Sequence, residues 1–219
     1  MLARMLAVLA TGVTLAVSEP SGYEIARLRA PVELYRFPGA APLAAVGTRT
    51  EFGSPQTLTV VARRGSWSGV ISSRTANNRL AWVKLGPANA TLRTTRLKLV
   101  VSLSGRRLQL ERGRTVVRTV TVGVGSPATP TPTGRFAITD KLPGFRFSPA
   151  YGASILALTG HQTRLPVSWP GGDRLAIHGT NAAWTVGAAA SAGCLHARYA
   201  ALRYLTANLP LGTLVVIGR

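Results

Sequence analysis

Cysteine is almost missing from this sequence: Cys194 is the only one in 219 residues. An intramolecular disulfide is therefore excluded, and the thiol is either an inert small hydrophobe or a reactive group. Acidic residues are also few, 7 Asp+Glu against 26 Lys+Arg, for a formal net charge of +19. Apart from Lys84, Lys98 and Lys141, the positive charge is arginine. Such a balance favours an anionic polymer or surface as partner. Aromatic residues make up 6% and the basic residues are scattered, so no platform for stacking nucleobases is legible and no nucleic-acid partner is expected. The C-terminal half offers only Glu111, Asp140 and Asp173 as carboxylates, which counts against a two-carboxylate hydrolase.

What is present begins with "MLARMLAVLATGVTLAVSEP", a short basic head at Arg4 followed by an apolar run from Met5 to Val17. That run is too short to span a bilayer comfortably and matches a signal-peptide core, with Ala16 and Ser18 as small residues at a cleavage spacing. Residues 1–18 are read as a signal peptide or an uncleaved N-terminal anchor, and the chain is expected to be exported. Membrane contact is expected only through that segment. A lone cysteine in an oxidising compartment is unusual unless it does chemistry.

From Tyr23 to Leu85 short apolar runs ("PVELYRF", "LTVVARR", "WSGVIS", "LAWVKL") are broken by Gly, Pro and Asn, the punctuation of a small barrel of short strands. The segments "GSWSGVI" and "RLAWVKL" resemble a bacterial SH3-like domain, assigned to residues 22–88, with Trp67 and Trp82 as groove walls or packing residues. Residues 89–95, within "GPANATLRTT", are read as a linker. Beyond it, Leu97, Leu99, Val101 and Leu103 alternate with their neighbours, then Leu108 and Leu110, then Val120, Val122 and Val124. Period-two alternation with glycine turns predicts antiparallel strands with one buried face. "SPATPTPTG" carries three prolines and is expected to be an ordered loop. "GDRLAIHGT" predicts a strand with Ala176 and His178 on one face and Leu175 and Ile177 on the other. "RYAALRYLTANLP" places Tyr199, Leu202, Leu205 and Leu209 at helical spacing, with Pro210 as terminator. The fold class is mainly β, with one appreciable helix.

Cys194 then lies on a glycine-preceded turn upstream of that helix, sixteen positions after His178. A thiol at a helix N-terminus is expected to have a lowered pKa, and an imidazole can take its proton and return it to a leaving group. Main-chain N–H groups around Gly193 and Cys194 are candidate oxyanion donors. Asp173 or a backbone carbonyl could orient the imidazole, the carbonyl being the more economical. A zinc site from Cys194, His196, His178 and His161 would need a Cys-x-His spacing that is not usual for zinc, so no metal and no cofactor are expected.

The ordered set "TPTPTGRF" (Thr129–Phe136), "IHGT" (Ile177–Thr180), Gly187 and "SAGCL" (Ser191–Leu195) resembles the L,D-transpeptidase catalytic domain, the YkuD-like fold, over residues 96–219. The resemblance implies a β-sandwich with a buried cleft. It implies Cys194 as a nucleophile that takes a peptidoglycan stem peptide as a thioester, cutting after its third residue. His178 would be the base, the Gly179 carbonyl its orienting acceptor, and Ser191 and Gly193 would shape the turn and oxyanion site. Ser191, His196, Tyr151 and Thr180 are the candidate substrate-side residues, and Tyr151 and Phe145 fall in the substrate-covering region. Two positions depart from the family pattern: Ala192, where many members have histidine, and His196, where arginine is usual and Arg198 is a possible stand-in. Other readings are a non-catalytic wall-binding protein holding anionic polymers, and a carboxypeptidase or hydrolase using the same acyl-enzyme.

Overall fold

The computed structural model describes residues 22–166, 169 and 172–219; the segment read as a signal peptide or anchor lies outside the described residues. The N-terminal part supplies seven strands: β1 (Tyr23–Leu28), β2 (Val32–Tyr35), β3 (Pro42–Val46), β4 (Thr57–Arg64), β5 (Trp67–Ile71), β6 (Ala81–Lys84) and β7 (Ala90–Thr95). They form one antiparallel sheet in the order β3-β2-β6-β5-β4-β1-β7. Its core is Leu28, Leu34, Leu58, Val60, Val70 and Val83 with smaller neighbours. Trp67 is half-buried, edge-on to Tyr35 with ring centroids 5.0 Å apart.

Residues 89–95 are not a linker. Ala90–Thr95 is the edge strand β7, paired along its whole length with β1 from Tyr23↔Thr95 to Leu28↔Ala90. The reason is local: Thr91, Thr94 and Thr95 are β-branched and suit an extended backbone. The Gly-Pro-Ala-Asn group before them is the actual turn, with Asn89 N–H bonded to the Gly86 carbonyl at 3.1 Å.

The C-terminal part adds β8 (Leu97–Ser102), β9 (Arg107–Arg112), β10 (Thr115–Gly125), β11 (Gly134–Pro143), β12 (Ser154–His161) and β13 (Arg174–His178). Short strands β14 (Ala189–Ser191) and β15 (Leu195–Ala197) bracket the cysteine, and α1 (Tyr199–Asn208) and β16 (Leu214–Gly218) follow. The nine strands run β14-β10-β15-β13-β12-β11-β16-β8-β9, and the long β10 also pairs with β9, so the sheet folds back on itself. Leu99, Leu108, Val122, Ile138, Leu156 and Ile177 fill the interior. Leu202, Leu205 and Leu209 of the α1 segment join this core, each burial worth on the order of 2 kcal/mol. Tyr199, expected on the same stripe, is 62% exposed because it sits in the first turn, ahead of the contact with the sheet.

The two parts are joined by polar contacts at defined points. Tyr23 Oη donates to the Leu97 carbonyl at 2.5 Å and accepts from the Leu214 N–H at 2.8 Å. Burial pushes the Tyr23 phenol up to about 12, so it stays a neutral donor at any working pH. Asn77 and the His161 main chain exchange two bonds of 2.7 and 2.9 Å, and Thr59 Oγ1 donates to the Gly212 carbonyl at 2.7 Å. Replacing Tyr23 by Phe strands the Leu214 N–H without its acceptor. Chemical denaturation followed by tryptophan fluorescence should show a loss of about 1–3 kcal/mol.

Candidate active site

The site is assembled by one strand pairing. β13 and β15 run parallel with Ile177 opposite Leu195 and His178 opposite His196. Extending that register by one residue sets Cys194 beside Ala176. With side chains alternating along each strand, Ala176, His178, Cys194 and His196 share one face, while Leu175, Ile177 and Leu195 point into the main core. On the Cys194 face Ile155, Ala157 and Ala176 form a small separate apolar cluster, against which Leu142, Tyr151 and Cys194 pack.

His178 is 5% exposed, and its Nδ1 lies 2.5 Å from the Gly179 carbonyl oxygen. A carbonyl only accepts, so Nδ1 carries the proton and Nε2 is the bare, basic nitrogen. None of the three carboxylates of the C-terminal half orients this ring: Asp173 pairs with His161 at 2.9 Å, Glu111 with Lys98 at 3.1 Å, and Asp140 accepts from Thr50 at 2.5 Å. Gly179 is needed where it stands, because a Cβ there would lie 3.0 Å from the Gly152 Cα and from the Tyr151 carbonyl. That close approach brings the Tyr151 ring edge-on to His178, centroids 4.8 Å apart.

The His196 ring is tilted by 53° against that of His178, with centroids also 4.8 Å apart. Its Nδ1 is 2.7 Å from Thr185 Oγ1, and that hydroxyl donates onward to the Ala182 carbonyl at 2.7 Å. The hydroxyl proton is thus in use, so His196 Nδ1 must donate and its Nε2 is bare as well. Burial lowers the pKa of His196. A neutral imidazole stands here, not a fixed cation. Arg198 is exposed and precedes α1.

The loop around the cysteine is held by a network that the sequence did not disclose. Gly193 has φ +122° and a Cβ there would meet the Gln162 amide nitrogen at 2.1 Å, so only glycine fits. Gln162 Nε2 donates to the Thr129, Pro130 and Ala192 carbonyls at 3.2, 3.0 and 3.1 Å. Thr131 Oγ1 takes the Gly125 N–H and donates to the Gly193 carbonyl, both at 2.8 Å. The proline-rich segment is therefore the ordered buttress of the cysteine loop.

Several expectations need correction. Cys194 is not at a helix N-terminus, because β15 separates it from α1. Instead of being lowered, the thiol pKa is pushed up to about 11 by burial, with the Ala176 main chain working weakly the other way. Gly193 N–H is not a free oxyanion donor: it is bonded to Ser191 Oγ at 3.0 Å, and Ser191 in turn donates to the Cys194 carbonyl at 2.6 Å. The Cys194 N–H meets no acceptor among the described residues, so it is the donor left at the thiol. Thr180 Oγ1 caps its own turn, accepting from the Ala182 N–H at 2.9 Å. Phe145 is 67% exposed.

The Cys194 thiol lies at the outer limit of hydrogen-bond range from one main-chain carbonyl. Its hydrogen-bond partner is the Arg174 carbonyl at 4.0 Å, one strand repeat on the far side of Ala176 from His178.

The His178 pKa is lowered to about 4, chiefly by burial, then by His196, against a smaller opposing effect of the Gly179 carbonyl. At pH above 6.5 the ring is neutral in both the folded and unfolded chain and contributes nothing to the pH dependence of stability. As pH falls from about 6.5 towards 4 the unfolded chain binds a proton that the folded one refuses, so stability drops, by about 3 kcal/mol in all. Denaturation midpoints at pH 7, 5.5 and 4 should show this slope in the wild type and a flatter one in His178→Gln.

Comparison with known proteins bears on the same region. The family model described as the YkuD L,D-transpeptidase catalytic domain matches residues 96–217. The YkuD protein of Bacillus licheniformis is 32% identical over 122 residues, 55% of this chain and 64% of its own length. That of Bacillus subtilis (strain 168) is 32% identical over 123 residues, again 55% of this chain and 65% of its own length. The chain thus spans just under two thirds of the curated relatives it matches. Among solved structures, Mycobacterium tuberculosis L,D-transpeptidase 1 is 18% identical, covering 65% of this chain and 78% of that one, with a TM-score of 0.39. An L,D-transpeptidase from Mycobacterium smegmatis is 16% identical, covering 86% of this chain and 99% of that one, with a TM-score of 0.43.

Proposed function

Since the chain belongs to the L,D-transpeptidase catalytic-domain family by the match over residues 96–217, we propose that it is a cysteine acyltransferase acting on peptidoglycan stem peptides. The observation that carries this reading is the strand pairing that sets Cys194 and the bare Nε2 of His178 on one face, with the other His178 nitrogen tied to the Gly179 carbonyl. Residues 1–18, read as a signal or anchor, would put this chemistry outside the cell, where its substrate lies.

As sulfur attacks the peptide carbonyl, its proton passes to Nε2, and the Cys194 N–H faces the oxygen on which negative charge develops. The tetrahedral adduct collapses by breaking the C–N bond, and the Nε2 proton goes to the departing amine. An acceptor amine then attacks the thioester, giving its proton to Nε2; the C–S bond breaks and sulfur takes the proton back. A neutral thiol beside a neutral imidazole suits this sequence, because the proton moves only when the substrate carbonyl is in place. Water in the acceptor's position turns the same intermediate into a carboxypeptidase reaction.

Incubation with a stem tetrapeptide should add the mass of the tripeptide acyl group to the intact protein and release the terminal residue. Cys194→Ala should show neither, and a carbapenem should leave a covalent adduct on the same residue in the wild type only. His178→Gln should slow acylation by about 10²–10⁴-fold while Cys194 remains free to react with small alkylating agents. Absence of any Cys194 adduct with both probes would sink the proposal.

A further inference from the structure

A second site is built into the face of the N-terminal sheet that turns towards the C-terminal part. A cavity of about 740 Å³ lies there, lined by Arg27, Arg29, Arg49 and Arg93, with no acidic residue in its wall. Strand register fixes two of these guanidinium groups. Ile25 pairs with Arg93 and Arg27 with Thr91, so Arg27 and Arg93 are diagonal neighbours on one face, with Cα atoms roughly 7–8 Å apart. The ion pairs among the described residues involve Arg63, Lys98, His161 and Arg174, and so leave all four lining arginines unneutralised. Like charges gathered in a concave wall repel one another unless a counter-anion sits between them.

The other two arginines are held in position. Arg29 Nη2 donates to the Pro87 carbonyl at 2.9 Å and Arg49 Nη1 to the Gly53 carbonyl at 2.7 Å. Each keeps further N–H donors for a ligand, on a side chain whose freedom is already reduced. Thr48, Thr57 and Thr91 add hydroxyl groups to the wall, and Pro210 and Leu211 of the C-terminal part close it. A smaller depression of about 350 Å³ shares Arg29 and Thr91 with it and is otherwise lined by Gly86, Pro87, Ala90 and Leu92. The two hollows adjoin at β7, whose six residues extend roughly 20 Å, a trench with room for several linked units.

We propose that this trench binds a base-free phosphodiester polymer, a chain of polyol units joined by phosphates. Guanidinium forks match phosphate oxygens in pairs, and the tetrahedral phosphate can meet an arginine on one strand and a threonine hydroxyl on the next, which a planar carboxylate does less well. Nucleic acid fits poorly because the apolar part of the wall is Ile25, Leu28, Pro55, Pro210 and Leu211, with no aromatic ring on which a base could stack. The site is separate from the thiol chemistry and independent of the function proposed for it.

The probe is a synthetic glycerol-phosphate oligomer, titrated calorimetrically into the full chain at low salt. The double variant Arg27→Gln/Arg93→Gln should bind at least about tenfold more weakly and show a shallower dependence of affinity on salt. The exposed-arginine control Arg114→Gln, on the hairpin between β9 and β10, should stay within about twofold of the wild type, as should Cys194→Ala. In the unaltered protein, the oligomer should protect Arg27 and Arg93 from phenylglyoxal, read by peptide mass mapping. Equal binding by the double variant together with no protection of these arginines would overturn the site. Tighter binding of polyglutamate or of a DNA duplex of matched charge would overturn the ligand assignment.

Discussion

The parallel pairing of β13 with β15 is the constraint on which the site depends. Cys194 follows His178 by sixteen positions along the chain, and the intervening loop, a 3-10 turn and β14 have to bring β15 back alongside β13 in one register. A slip of one residue would turn Cys194 into the main core and replace it on the outer face by Leu195. The register is secured from both sides. Ile177 and Leu195 lock into the interior, while the cysteine loop is pinned from outside by Gln162, Thr131 and Ser191.

That arrangement sets the electrostatics as well. An apolar cluster of Ile155, Ala157 and Ala176 beside the thiol disfavours a thiolate, and the burial of His178 disfavours an imidazolium. The resting pair is therefore neutral on both partners, and ionisation is deferred until a substrate carbonyl arrives to accept the electrons. His196 fits the same design. An arginine at that position would place a permanent charge against the His178 ring and hold it neutral by repulsion; the neutral imidazole does less of this and leaves more of the task to desolvation.

The chemistry-bearing residues were legible in the sequence because they are rare: one cysteine and three histidines leave few combinations. Strand alternation placed Ala176 and His178 on one face, and the same alternation identified the buried rows of β8, β9 and β10. What escaped reading depends on distance along the chain. Gln162 and Thr131 carry no local signal for bonds to a loop thirty or sixty residues away. The direction of the Cys194 pKa shift is not legible locally, because burial against a cluster assembled from distant strands raises it and the strand Leu195–Ala197 keeps the thiol off the helix N-terminus. Likewise β7 reads as a linker in the sequence because the turn residues Gly86–Asn89 run directly into the threonine-rich strand that follows them.

Nitrogen-15 chemical shifts of the His178 ring in the resting protein test the central claim most directly. At pH 7 Nδ1 should be protonated and Nε2 bare, with the ring gaining its second proton only near pH 4 and the Cys194 thiol still protonated throughout. A doubly protonated ring at pH 7, balanced by a thiolate at Cys194, would contradict the neutral pair.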